Sequence, residues 1–169
     1  MRKLLPKPAP THKQLIDVGY AWILKSGSCG VAFKELNTLA SNEYPDIIGF
    51  GTQGHSVLLE VKVSRSDFQA DKKKSFRKNP VLGMGTQRFY LVPKNLITIE
   101  ELPTGWGLIY VDDELKTRCV HNPFKGFKNL FTRNIIAEHG LMYSALRRLH
   151  LRNLIPEIYK PLTIKRGRK

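Results

Sequence analysis

Two acidic residues, Asp46 and Glu60, have the types and spacing that suit metal-dependent chemistry. Asp46 follows Pro45, thirteen residues separate the two carboxylates, and Lys62 comes two positions after Glu60. Two carboxylates that converge in a basic protein repel one another, and a divalent cation relieves that repulsion. Mg²⁺ prefers oxygen ligands and activates water beside a phosphate, and a nearby lysine can orient or deprotonate that water or stabilise the charged transition state. The pattern therefore predicts phosphodiester chemistry.

The strand expected at 55–63 would carry Glu60 and Lys62 on one face, since successive side chains of a strand alternate between faces. An isolated E-x-K pair is also typical of an amphipathic strand whose charged face is solvated. The GTQG turn at 51–54 predicts a hairpin with the preceding strand, 46–50. Asp46, near the start of one strand, would then lie close to Glu60, near the end of its antiparallel neighbour.

The remaining elements predict an α/β fold in which helices flank a mixed sheet. A helix should begin at Thr11, because Thr11 and Gln14 match a capping box. A short polar helix is expected over 64–78, with Ser66 or Asp67 as its cap. Further strands are expected at 30–36, 87–92, 107–111 and 115–120, the last two as a hairpin, and a C-terminal helix at 127–151 with an interruption at Gly140.

These segments resemble the PD-(D/E)XK nuclease superfamily, which has the restriction-endonuclease-like fold. YPDIIGF, a turn and VLLEVKV are similar to its core motif, and RFYLVP (88–93) and ELPTGWGLIYVD (101–112) extend the likeness over residues 11–112. EVKVSRSDFQADKKKSF is similar to a bacterial and phage branch associated with DNA repair, in which an E-x-K-x-S-x-x-D-F-x-x-D-x-K string recurs. That string falls here on Glu60, Lys62, Ser64, Asp67, Phe68, Asp71 and Lys73.

The resemblance implies a metal site and a cofactor. It implies Asp46 and Glu60 as metal ligands, with the main-chain carbonyl of Val61 completing the set, and Lys62 as the catalytic lysine. Mg²⁺ is the expected ion, with Mn²⁺ as a substitute. The family usually also has an acidic residue on its first helix, and Asp17 is the one acid on the helix expected here.

Asp17 and Glu35 are further candidate site acids, each with a simpler alternative. Asp17 either belongs to the site or is solvated on the helix surface. Glu35 shares a predicted strand face with Val31 and Phe33, so its carboxylate either points at the site or lies at the solvated end of an edge strand.

Basic side chains near the expected site are candidates for phosphate contacts, which position DNA without reading its sequence. The basic residues of the helix expected over 64–78 cannot all face one way, because helical spacing distributes them around the axis. We therefore expect two or three of them to touch DNA. The alternative is that they form a solvated helix face. Arg65 can also pair with Asp67 or Asp71. The candidates are Arg65, Lys72, Lys73, Lys74, Arg77 and Lys78, together with Arg147, Arg148 and Arg152 in the C-terminal region.

The charge of the chain predicts a polyanionic partner. Its 28 basic and 14 acidic residues give a net charge of +14. Residues 1–13 carry four bases and no acid, and residues 141–169 carry eight bases and one acid.

No apolar run approaches 18 residues, so no transmembrane helix is expected. Two cysteines with no pairing framework indicate a reducing, cytoplasmic compartment. We expect a flexible basic arm (1–10), a nuclease-like core (11–125), a helical extension (126–155) and a basic tail (156–169).

The leading hypothesis is a metal-dependent DNA endonuclease acting in DNA repair, recombination or phage DNA processing. Its partner would be DNA, and cutting both strands would favour a homodimer. One alternative is a non-catalytic DNA-binding module on the same fold. Another is a structural protein associated with RNA or a capsid, for which the basic ends alone would suffice.

Overall fold

The computed structural model describes residues 9–162, which contain four α-helices and six β-strands. The helices are α1 (His12–Ser26), α2 (Arg65–Lys72), α3 (Ser75–Lys78) and α4 (Ile135–Leu151). The strands are β1 (Val31–Lys34), β2 (Ile47–Phe50), β3 (Ser56–Val61), β4 (Gln87–Pro93), β5 (Gly107–Val111) and β6 (Thr117–His121).

All six strands form one mixed sheet in the order β1-β2-β3-β4-β5-β6. Strands β1, β2 and β3 are antiparallel, β3, β4 and β5 are parallel, and β6 returns antiparallel to β5. The two hairpins expected from sequence, β2–β3 and β5–β6, are therefore confirmed. A parallel pair needs a crossover, and α2 with α3 supplies it between β3 and β4.

Each face of the sheet carries its own apolar core, so the central strands are buried on both sides. On one face, α1 packs Leu15 and Ile23 against Leu59. Gly19 lets α1 approach closely, because a Cβ there would lie 2.5 Å from a methyl group of Ile47. On the other face, Phe68 of α2 and the first half of α4 cover the sheet. The mixed α/β architecture with flanking helices is thus confirmed.

The helix boundaries follow capping side chains. The predicted capping box of Thr11 and Gln14 begins α1. The expected helix over 64–78 is two helices, and Ser64, rather than Ser66 or Asp67, caps the first by accepting the Asp67 N–H. A second correction concerns α4, which begins at Ile135 because the Asn134 side chain accepts the Ala137 N–H.

Gly140 does not interrupt α4. The absence of a side chain lets the helix pass the segment 38–40, because a Cβ would lie 2.7 Å from Thr38 Oγ1 and 2.9 Å from Ala40 Cβ.

The tail expected to be irregular from Pro156 contains a 3₁₀ turn at Ile155–Tyr159. Residues 1–8 of the predicted arm and 163–169 of the predicted tail lie outside the described residues. Within 9–162, no helix has the length and apolar character needed to cross a bilayer.

Candidate active site

Asp46, Glu60 and Lys62 meet where β2 begins and β3 ends. Ile47 pairs with Leu59, so the next residues outward, Asp46 and Glu60, lie opposite one another. The Lys62 ammonium lies 3.1 Å from Glu60 Oε2 and 3.7 Å from Asp46 Oδ2. Asp46 Oδ2 also accepts the Val61 N–H at 2.8 Å, which fixes its carboxylate beside the end of β3. The hairpin therefore brings the two carboxylates to one cation, as their spacing predicted.

This cluster is buried rather than solvated. Glu60 and Lys62 are only 2% and 5% exposed, so the interpretation of a solvated charged face does not describe this strand. Asp46 is the more open of the two carboxylates, with 19% of its side chain exposed. His12, at the start of α1, places Nε2 3.6 Å from Asp46 Oδ1 on that open side.

Arg77 is the largest departure from the sequence prediction. It was expected to contact DNA, but its side chain is 1% exposed and lies inside the cluster. Its Nε donates to Asp71 Oδ2 at 2.8 Å, its Nη2 lies 2.8 Å from Glu60 Oε1, and its Nη1 pairs with Glu43. The prediction was wrong because α3 turns this one member of the basic run inward, where three carboxylates neutralise it.

Sequence reasoning missed Glu43, Arg77 and Tyr90 as members of the cluster. Glu43 accepts the Met84 N–H at 2.5 Å as well as pairing with Arg77, and nothing in its local sequence marked it. Tyr90 donates to Asp71 Oδ2 at 2.8 Å. Tyr90 lies beside Glu60 in the register of β3 and β4, a pairing that is set in the fold and that no local sequence pattern marked. Asp71 was predicted as a member of the recurring string and as an alternative partner of Arg65, without a role in the site.

The charges of the cluster shift its pKa values in opposite directions. Burial raises the pKa of Glu60, an effect that Arg77 and Lys62 oppose. Burial alone would also raise the pKa of Asp71, but Arg77 and Lys62 outweigh it and leave that pKa below its ordinary value. Burial disfavours the Lys62 ammonium, yet Glu60, Asp71 and Asp46 more than compensate and raise the pKa of Lys62. These carboxylates therefore favour the ammonium form of Lys62, which can donate a hydrogen bond to a phosphate oxygen.

The other basic candidates divide into partnered and free side chains. Arg65 pairs with Glu101, and not with Asp67 or Asp71, while Lys72 donates to the Glu101 carbonyl at 2.9 Å. Lys74 lies 2.9 Å from Asp71 Oδ1. These contacts compete with phosphate binding. The remaining candidates, Lys73, Lys78, Arg147, Arg148 and Arg152, are exposed and form no ion pair with any of the residues 9–162. Their contact with DNA stays a prediction.

Neither further candidate acid joins the cluster. Asp17 is exposed on α1 and forms an ion pair with Lys34 at 2.5 Å, and that amine lowers the pKa of Asp17. Glu35 is exposed just beyond β1 with a φ of 47°, and its backbone N–H donates to the Asp46 carbonyl. The solvated alternative therefore describes both side chains.

The donor set is compatible with a hard cation, although it is small. Within 9–162, no group of three or more His, Cys, Asp or Glu side chains is arranged to hold a metal. Mg²⁺ commonly uses one or two carboxylates and completes its shell with water and substrate phosphate. Glu60 Oε1 is buried and pairs with Arg77 Nη2 at 2.8 Å, and a carboxylate oxygen has a second lone pair with which it can bind a cation. Asp46, Glu60 and the Val61 carbonyl thus fit a Mg²⁺ ion that retains several waters.

Comparison with known proteins provides a fold neighbour. No family model matches the chain, and no curated protein matches it. The chain is similar to a solved structure, the SPO1766 protein of unknown function from Silicibacter pomeroyi, with a TM-score of 0.53 and 23% identity. The similarity covers 95% of this chain and 99% of that chain. It supports the arrangement of sheet and helices over nearly the whole length.

Proposed function

We propose that this protein is a Mg²⁺-dependent nuclease that hydrolyses DNA phosphodiester bonds on a restriction-endonuclease-like fold. The observation that carries the proposal is the meeting of Asp46 and Glu60 at the paired ends of β2 and β3, within 3.7 Å of the Lys62 ammonium. The resemblance of the hairpin to the PD-(D/E)XK motif supports the same conclusion. Mn²⁺ is the expected substitute ion.

Each side chain of the cluster has a role in this proposal. Asp46 and Glu60 hold the ion with the Val61 carbonyl, and a bound Mg²⁺ supplies an activated water and neutralises charge on the phosphate. The Lys62 ammonium donates to the phosphate oxygen that gains charge in the transition state. Arg77 contacts Glu60 Oε1 while Lys62 contacts Oε2, and Asp71 lies 3.7 Å from the Lys62 ammonium, so Arg77 and Asp71 are positioning residues.

The substrate in this proposal is DNA undergoing repair, recombination or phage processing. A net charge of +14 suits a polyanion, and Lys73, Lys78 and the arginines of α4 are free to contact phosphates. One site hydrolyses one phosphodiester, so a double-strand cut would require a homodimer. Nicked, mismatched and branched DNA are the first substrates to test.

Cleavage of a DNA panel tests the proposal. The purified chain would be incubated with Mg²⁺ or Mn²⁺ and linear, nicked, flapped, mismatched or four-way DNA. We expect metal-dependent cleavage of at least one structure, which is lost in Asp46→Ala, Glu60→Ala and Lys62→Ala and retained in Asp17→Ala. An uncut panel with every metal, or full cleavage by the three site variants, would refute the proposal.

A second candidate is a DNA-binding module without catalysis. The observation that favours it is that Lys62, Lys74 and Arg77 already pair with the carboxylates of the cluster, so their repulsion does not by itself require a metal. Calorimetric titration with Mn²⁺ separates the two candidates. The nuclease must bind the metal ion, and Asp46→Asn must weaken that binding, whereas the DNA-binding module has no such requirement. Tight binding to RNA with none to DNA would instead favour a structural nucleic-acid-associated protein.

A further inference from the structure

A groove of about 400 Å³ runs between α4 and the loop that leads into β2. Its α4 wall consists of positions spaced by three or four residues, which lie on one helical face. That face carries Tyr143, Arg147 and Arg148, and Tyr44 lines the groove on the loop side. Among the described residues, no acidic side chain lines it. The groove therefore combines aromatic surface with positive charge.

Both tyrosine rings are available to a ligand. Tyr44 is 63% exposed and Tyr143 is 62% exposed, and neither hydroxyl bonds to another of the residues 9–162. The loop that carries Tyr44 is nevertheless held in place, because its neighbour Glu43 is buried and bound to Arg77 and to the Met84 N–H. A fixed backbone with an exposed ring is a preformed stacking platform.

The loop that leads into β2 connects the groove to the candidate active site, because it carries Tyr44 and ends at Asp46. Tyr44 is two residues from Asp46, so their Cα atoms lie within about 7 Å of one another. At its floor, the segment 38–40 packs against Gly140, where a Cβ would lie 2.7 Å from Thr38 Oγ1. A nucleic acid strand that places a phosphodiester at Asp46 would therefore have nearby nucleotides within reach of Tyr44.

We propose that the groove binds an unpaired nucleotide of a single-stranded segment, with Tyr44 and Tyr143 stacking on the base and Arg147 and Arg148 contacting its phosphates. Aromatic rings beside cations are how proteins bind single strands without sequence preference. This inference rests on the proposed function and names the feature of the substrate that the site selects, a single-stranded end, flap or gap next to the cleaved bond.

A second copy of the chain fits the groove less well. The outer part of α4 exposes apolar residues such as Met142 and Leu146, which would suit a dimer contact. A two-fold dimer through this face, however, would bury Arg147 and Arg148 of both copies in a contact whose groove offers no acidic side chain among the described residues, and uncompensated like charges in an interface are unfavourable. Charge complementarity therefore favours a nucleic acid strand.

The test is binding in EDTA, where cleavage plays no part. Fluorescence anisotropy would compare a blunt duplex, the same duplex with a single-stranded overhang, and the overhang oligonucleotide alone. We expect the overhang to increase affinity, Tyr44→Ala to weaken that gain by about 5- to 150-fold, and Tyr44→Phe, which keeps the ring, to retain it. Arg147→Gln should lower the salt dependence of overhang binding by about 0.7 in the log–log slope.

Arg118→Gln is the matched control, because Arg118 is exposed on β6 at the opposite edge of the sheet. It should leave the difference between the overhang and the blunt duplex unchanged. Equal binding of the two duplexes, equal affinities of Tyr44→Ala and Tyr44→Phe, or a dimer that Tyr143→Ala dissociates would overturn the inference. If the overhang no longer increases affinity while blunt DNA is still cleaved, the proposed role of the groove is refuted and the proposed nuclease activity is not. If the overhang increases affinity but no DNA is cleaved with any metal, the nuclease activity is refuted and nucleotide binding in the groove is not.

Discussion

At the scale of single residues, Lys62 has the most constrained chemistry. Its ammonium lies 3.1 Å from Glu60, 3.7 Å from Asp46 and 3.7 Å from Asp71. These three carboxylates keep the amine protonated even though it is almost fully buried. Lys62 therefore presents a fixed positive charge, the form that stabilises a phosphate gaining negative charge.

Asp71 should make stability depend on acidic pH. Its pKa lies below the ordinary value, so its contribution is present above about pH 4 and is lost as pH falls through the folded-state pKa. Asp71→Asn leaves Arg77 and Lys62 with one fewer buried partner and should lower the free energy of unfolding by about 3–5 kcal/mol at pH 7. Urea denaturation at several pH values checks this.

The gap between wild type and Asp71→Asn should narrow as the pH drops below about 4. The control is Asp17→Asn, which removes a carboxylate from an exposed, solvent-screened pair and should change the pH dependence much less than Asp71→Asn does. A gap between Asp71→Asn and wild type that stays constant from about pH 7 to about pH 3 would contradict the ionised, ion-paired state of Asp71.

Arg77 and Lys78 are adjacent in sequence but should behave oppositely. Arg77 is buried among carboxylates, so Arg77→Met should lower the free energy of unfolding by about 3–5 kcal/mol. Lys78 is exposed, so Lys78→Gln should leave stability unchanged and reduce the salt slope of DNA binding by about 0.9 if it contacts a phosphate. Urea denaturation and salt-dependent DNA binding, measured on both variants, test this. An Arg77→Met variant with wild-type stability and a reduced salt slope of DNA binding would contradict the buried role of Arg77.

At the scale of elements, local patterns predicted the sheet well and the helices less well. Strand β3 has apolar residues on both faces, and the turn after β2 fixes the hairpin, so the position of Asp46 beside Glu60 followed from sequence. The break between α2 and α3 did not, because the basic run has no glycine or proline to mark it. The inward turn of Arg77 depends on Glu43 and Asp71, which meet only in the fold.

One buried carboxylate links the N-terminal part of α4 to the sheet through hydrogen bonds. Glu138 accepts from Ser56 Oγ and the Gly85 N–H, each at 2.8 Å, and pairs with Arg133 at 2.7 Å. Glu138→Ala leaves these donors without an acceptor and should lower the free energy of unfolding, measured in urea, by about 2–5 kcal/mol. Glu157→Ala, which breaks an exposed pair with Lys160, should change it little, and equal effects would contradict the account.

At the scale of the whole molecule, the charge is concentrated at the chain ends while the candidate site is acidic. Residues 1–8 contain three basic residues and residues 163–169 contain four. Removing both segments should weaken DNA binding and flatten its salt dependence, by about 0.9 in slope for each phosphate that is no longer neutralised. Cleavage at saturating DNA and low salt should survive. Loss of turnover with intact binding would place these charges in the active site instead.

The most direct measurement is the single-turnover cleavage rate of Asp46→Asn beside that of Asp17→Asn, with Mg²⁺ and the best substrate of the DNA panel. Both variants exchange one carboxylate for an amide, whose oxygen at position 46 can still accept the Val61 N–H that Asp46 accepts in the structure. We predict that the rate falls by at least about 100-fold for Asp46→Asn and stays at the wild-type value for Asp17→Asn. Equal rates for the two variants would contradict a metal-dependent nuclease centred on Asp46, Glu60 and Lys62.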